Sequence, residues 1–119
     1  MTDPTTAVLV VIGEDPRSSH RANEAMRIAL GLAAGETPVH IVLLGDAIHL
    51  LDLDTEDLVD GDDIAKFRAA LRTLDISIHV DAGAIPADPD WNPDGFPIAP
   101  VHAADVAALM SASTRFLVF

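Results

Sequence analysis

Two apolar runs, Val8-Leu9-Val10-Val11-Ile12-Gly13 and Val39-His40-Ile41-Val42-Leu43-Leu44-Gly45-Asp46, restrict what this chain can become. Neither run alternates polar and apolar residues. Successive side chains of a strand point to opposite faces, so an unbroken apolar run needs cover on both. The runs predict two strands of a parallel sheet packed between helices. Ala22, Ala25, Met26, Ala29, Leu30 and Ala33 lie between them at helical spacing and form one apolar stripe. Ser18 or Ser19 can accept from the free N–H groups at the start of that helix. Gly35 ends it, and Thr37-Pro38 prevents its resumption.

The rest of the chain continues the alternation. Residues 1–6 form a short polar lead. Residues 46–63 hold eight acidic residues and no basic ones, with a helical turn or two expected at Ala47 to Leu51. A second helix carries Ile64, Phe67, Leu71 and Leu74 as its stripe. Asp60, Asp62 and Asp63 stand at its start and Lys66, Arg68 and Arg72 further along, which suits the helix dipole. Ile76-Ser77-Ile78-His79-Val80 alternates, so this third strand has one dry face and one more open face. The loop of residues 81–100 is rich in Pro, Asp and Gly, with a short strand around Phe96 to Ala99. A small helix from Ala103 to Ala112 turns Val106, Leu109 and Met110 inward, and Phe116 to Phe119 forms a last strand. This order predicts an α/β fold: a three-layer α/β/α sandwich around a mostly parallel sheet of about five strands, one domain over residues 1–119.

Composition removes several functions. No cysteine is present, which excludes disulfides, thiolate nucleophiles, thiolate metal sites and persulfide carriage by these residues. Nineteen acidic residues against seven basic ones give a net charge of −12, a field that repels phosphate backbones, so no nucleic-acid partner is expected. No apolar run approaches the roughly 20 residues of a membrane span. The N-terminal lead has no basic region and no apolar signal core, so a cytoplasmic location and no membrane partner are expected.

Three segments carry a family likeness. Val8 to Gly13 is followed by a polar loop and a helix containing Glu24-Ala25-Met26-Arg27-Ile28-Ala29-Leu30. Val42-Leu43-Leu44-Gly45-Asp46-Ala47 is a strand running into a Gly-Asp pair. Arg115-Phe116-Leu117-Val118-Phe119 closes the chain as a strand. With these features the run from Val8 to Phe119 resembles the DsrE/DsrF-like (TusBCD-like) family of sulfur-relay subunits. The resemblance implies a five-stranded parallel sheet and assembly into homotrimers, homohexamers or heterohexamers. It also implies a persulfide-carrying cysteine in the loop after the third strand. The matching segment here is Val80-Asp81-Ala82-Gly83, where Asp81 or Ala82 takes that place. A carboxylate cannot hold a persulfide.

Ligands of open α/β sheets bind beyond the carboxyl ends of the strands. The residues expected to line a cleft or an interface are Gly13, Glu14, Gly45, Asp46, His49, His79, Asp81, Ala82 and Trp91. Asp46 either orients a ligand or acts as a base, or it caps the turn that follows it. His20, His49 and His102, with Glu14, Asp46 and Asp81, could supply two imidazoles and a carboxylate to a divalent metal. His79 faces a cleft or a subunit interface. Trp91 and Phe96 either cover the core or insert into a neighbouring subunit. Asp90-Trp91-Asn92-Pro93-Asp94-Gly95 matches the first half of a calcium loop through Asp90, Asn92 and Asp94. The match then fails, because Val101 stands where the loop needs Glu. An ordinary Asp/Asn/Pro/Gly turn explains the same residues.

No GxGxxG, GxxxxGK[ST] or GxSxG pattern occurs, so no cofactor and no recognisable catalytic residue is expected. The expected function is that of a non-catalytic subunit. It would oligomerise with itself or with a cysteine-bearing homologue, and scaffold or modulate a sulfur-relay partner. The alternative is a small-ligand or divalent-metal module at the carboxyl edge of the sheet. A third reading, an acid/base enzyme using Asp46, Asp81 and His79 or His49, needs those groups to meet.

Overall fold

The fold is taken from a computed structural model, which describes residues 7–35, 37–52, 54–74, 76–93, 95–112 and 115–119. The polar lead of residues 1–6 and Asp94 lie outside the described residues. Five strands, β1 (Val8–Ile12), β2 (Val39–Leu43), β3 (Ile76–Asp81), β4 (Ile98–Val101) and β5 (Arg115–Val118), form one sheet in the order β4-β3-β2-β1-β5. Every pairing is parallel, with Val8 opposite Val39 and Val39 opposite Ile76. The helices are α1 (Arg21–Ala34), α2 (Gly61–Leu71) and α3 (Ala103–Ala112).

The direction of travel distributes the helices. From β1 to β3 the chain steps one way across the sheet, through α1 and α2. From β4 it returns past three strands to the far side of β1, through α3. Right-handed crossovers in opposite directions place their helices on opposite faces. One face accordingly buries Val8, Val10, Ile12, Val39, Ile41, Leu43, Ile78 and Val80 with Ala22, Ala25, Met26 and Ala29 of α1 and Ile64 and Leu71 of α2. The other face buries Leu9, Val11, Val42 and Val101 against Val106, Leu109 and Met110 of α3. The inward triplet expected of α3 is the one observed, although no residue of α3 is fully buried.

Local chemistry sets the boundaries. Ser19 Oγ accepts the Arg21 N–H at 3.2 Å at the start of α1. Asp60 enters α2 with a left-handed φ of 58°. A Cβ on the next residue, Gly61, would sit 1.8 Å from the Thr55 carbonyl oxygen, so only glycine fits there. The α2 stripe stops at Leu71, one turn short of the expected Leu74. Strand β4 starts at Ile98, two residues later than expected, because Asn92 brackets Phe96. Its Oδ1 accepts the Phe96 N–H at 3.1 Å and its Nδ2 donates to the Phe96 carbonyl at 3.0 Å. Pro100, which has no N–H to donate, is tolerated because β4 is an edge strand.

Candidate functional site

Parallel strands bring their exits to one edge. Gly13 and Glu14 follow β1, Gly45 and Asp46 follow β2, Asp81 and Ala82 close β3, and His102 follows β4. The Asp81 carboxylate connects two of these exits. Its Oδ1 accepts the Gly83 N–H at 3.1 Å, and its Oδ2 accepts the Gly45 N–H at 3.4 Å. Beside it lies a cavity of about 240 Å³ lined by Leu44, Asp81, Val101, His102, Ala103 and Val106. The α3 start forms its rim, where Asp105 Oδ2 accepts the His102 N–H at 2.9 Å. Gly13 is held to the end of the chain by donating its N–H to the Phe119 carbonyl at 2.9 Å.

Other expected residues are engaged elsewhere. Asp46 does not cap the 3-10 segment Gly45–Leu51. The N-cap residue is Leu44, without a side-chain hydrogen bond, and the carboxylate that reaches this turn is Asp81 from the neighbouring strand. Asp46 is exposed. His49 turns to Asp52, with Nδ1 and Oδ2 2.8 Å apart, and His20 lies beside Glu24 at the surface. Among the described residues, no three His, Asp or Glu side chains meet as a metal site. Among the described residues, no hydrogen bond joins Asp46, Asp81, His49 or His79 to one another, as acid/base chemistry would need: Asp81 binds Gly45, His49 faces Asp52 and His79 faces His40. In the loop after β3, the Asp88 carboxylate accepts the Asp90 N–H at 2.9 Å and Asn92 is spent on Phe96. That is turn chemistry. Both aromatic residues of this loop cover the core. Phe96 is buried, and Trp91 packs on the same cluster while its Nε1–H donates to the Ile48 carbonyl at 2.8 Å.

His79 lies on the α3 side of the sheet and has an unforeseen neighbour. Its Nε2 is 3.4 Å from Nδ1 of His40, and the ring centroids are 5.6 Å apart. Register explains the encounter: His40 stands opposite Ser77, so His79 is its diagonal neighbour on the same face. Burial holds the His79 imidazole below the usual histidine pKa, and the nearby His40 acts in the same direction. Arg68 is a second residue with an unforeseen role. It is only 6% exposed and donates from Nη1 to the Asp52 carbonyl, fixing the residue that holds His49.

The model of the DsrE/DsrF-like family matches residues 6–119 of this sequence. The chain belongs to the DsrE/DsrF-like family. Its structure is similar to the crystal structure of the YchN protein from E. coli, with a TM-score of 0.70 and 16% identity. The match covers 96% of this chain and 99% of that one. At that identity the likeness speaks for the fold. A comparison with curated proteins found no match. The family expectation and the α/β sandwich inferred from the apolar runs therefore agree with the observed sheet. Among the described residues, no helix is long and apolar enough to cross a membrane.

Proposed function

We propose that this DsrE/DsrF-like chain works by association, as a non-catalytic subunit that packs its α3–β5 surface against further copies of itself. The supporting observation is an apolar, charge-poor surface on a strongly acidic protein. Phe116 is 50% exposed and Val118 60% exposed on β5, an edge strand exposed along its whole length. Helix α3 beside it is apolar on nearly every side, with Asp105 as its one charged residue and no fully buried one. An apolar helix of this kind normally finds cover. Copies carrying −12 each repel at long range, so contact is favoured where charge is absent.

The chemistry at the β3 exit agrees with a role without sulfur transfer. The resemblance puts a sulfur-carrying cysteine there, and Asp81 or Ala82 occupies the place instead. Asp81 is a fastener between two strand exits. A subunit of this kind would scaffold or modulate a cysteine-bearing relative, in a trimer or hexamer as the family suggests. Light scattering after size-exclusion chromatography tests the reading, together with co-purification with a cysteine-bearing homologue. A multiple of the chain mass supports it. A monomer that captures no homologue overturns it.

A second reading rests on the cavity of about 240 Å³ at the carboxyl edge. It is smaller than the roughly 300–1,000 Å³ of most small-molecule sites, so it suits a ligand of a few heavy atoms held by Asp81 and His102. Thermal-shift screening of small amines and amides against the wild type and Asp81→Asn would detect such a ligand.

A further inference from the structure

We propose that His40 and His79 form a two-imidazole site for a tetrahedral divalent transition ion of the zinc type. The two donors sit on adjacent hydrogen-bonded strands, so the sheet holds them in place before any ion arrives. Their facing nitrogens are 3.4 Å apart. Two imidazoles on a tetrahedral ion at 2.0–2.1 Å have nitrogens about 3.3–3.4 Å apart, whereas neighbouring positions of an octahedral ion would bring them to about 2.9 Å. The separation, which also lies within hydrogen-bond reach, is compatible with the tetrahedral geometry. The donor type selects among ions, because imidazole suits zinc, copper and nickel while calcium and magnesium want oxygen.

Open space adjoins the His79 side of the pair. His79 lines a cavity of about 680 Å³ on one side and one of about 500 Å³ on the other. Arg72 lines the first and Asp105 the second. No third protein ligand joins the pair among the described residues, so the open positions take water. Binding requires that each ring carry its proton on the remote nitrogen, Nε2 of His40 and Nδ1 of His79. When both rings are neutral this is a tautomer change with no net loss of protons, and a ring that starts charged releases one proton.

The site is independent of the proposed assembly, since both donors belong to one chain. The test is zinc titration of the metal-stripped full chain by calorimetry, for the wild type, His40→Gln, His79→Gln and a His49→Gln control. Long-range proton–nitrogen NMR of the wild-type imidazoles runs alongside. One zinc per chain is expected, lost in the first two variants and kept in the control, with Nδ1 of His40 and Nε2 of His79 moving on binding. The NMR arm does not depend on the variants folding. Absence of zinc uptake by the wild type, uptake retained by both variants, or shifts confined to His20, His49 and His102 would overturn the proposal.

Discussion

The two faces of the sheet have been finished differently. On the first, α1, α2 and the 3-10 segment after β2 leave Val10, Ile12, Ile41, Leu43 and Val80 essentially without solvent. On the second, α3 alone crosses five strands. It covers Leu9, Val11, Val42 and Val101 along the middle and leaves a flank bare on each side. Phe116 and Val118 project from one flank, and His40 and His79 meet on the other. Side chains locked under two helices serve stability. Those beside a lone helix remain available for contact with something else. The first face is where the fold is held, and the second is where the proposed association and ion binding lie.

Substitutions can separate these roles. The largest effect is expected from Gly61→Ala, which drives a methyl group into the Thr55 carbonyl under the first face. A loss above about 4 kcal/mol, or no soluble product, is expected from urea unfolding. Ile41→Ala on the same face should cost about 2–5 kcal/mol, while Val118→Ala on the second should stay within about 0.5 kcal/mol in the same assay. Equal losses would erase the distinction between the faces. Trp91→Phe removes the hydrogen bond that ties the long loop to Ile48, and about 1 kcal/mol should be lost in thermal unfolding.

The smallest effect is a pH dependence on the second face. His79 resists protonation when folded, so below the ordinary histidine value of about 6.5 the unfolded chain takes up the proton first. Stability is therefore retained above that pH. It declines as pH falls toward the folded value, and this component levels off below it. His79→Gln should flatten this part of a stability–pH profile. An unchanged slope would mean that the imidazole is already solvated.

Much of the fold could be read from the residues because its signals are local. The unbroken runs at β1 and β2, the alternation at β3, the stripe of α1 and that of α2 as far as Leu71 each report their own surroundings, and the structure bears them out. The site was harder to read because its contacts join distant residues. Asp46 stands at the right sequence position to cap the turn after β2, but the carboxylate that reaches Gly45 belongs to Asp81, 36 residues after that glycine. His40 is the one polar residue within the apolar run Val39 to Leu44. Only the register of β2 against β3 reveals that His79 shares its face, a step available once two consecutive strands are read as parallel neighbours. Arg68 looked like a residue of the helix dipole, and nothing local indicates that it reaches the Asp52 carbonyl. Trp91 and Phe96 fitted two destinations equally, because an aromatic residue in a polar loop needs cover without specifying whose.

The central proposal, that the half-covered face is completed by another copy of the chain, is most directly tested on β5. Sedimentation equilibrium of the wild type and of a Phe116→Glu, Val118→Glu double variant measures it, with circular dichroism to verify the fold. A wild-type assembly that the double variant reduces to folded monomers is expected. A wild type that is monomeric throughout, or an assembly unaffected by two new carboxylates on β5, would contradict it.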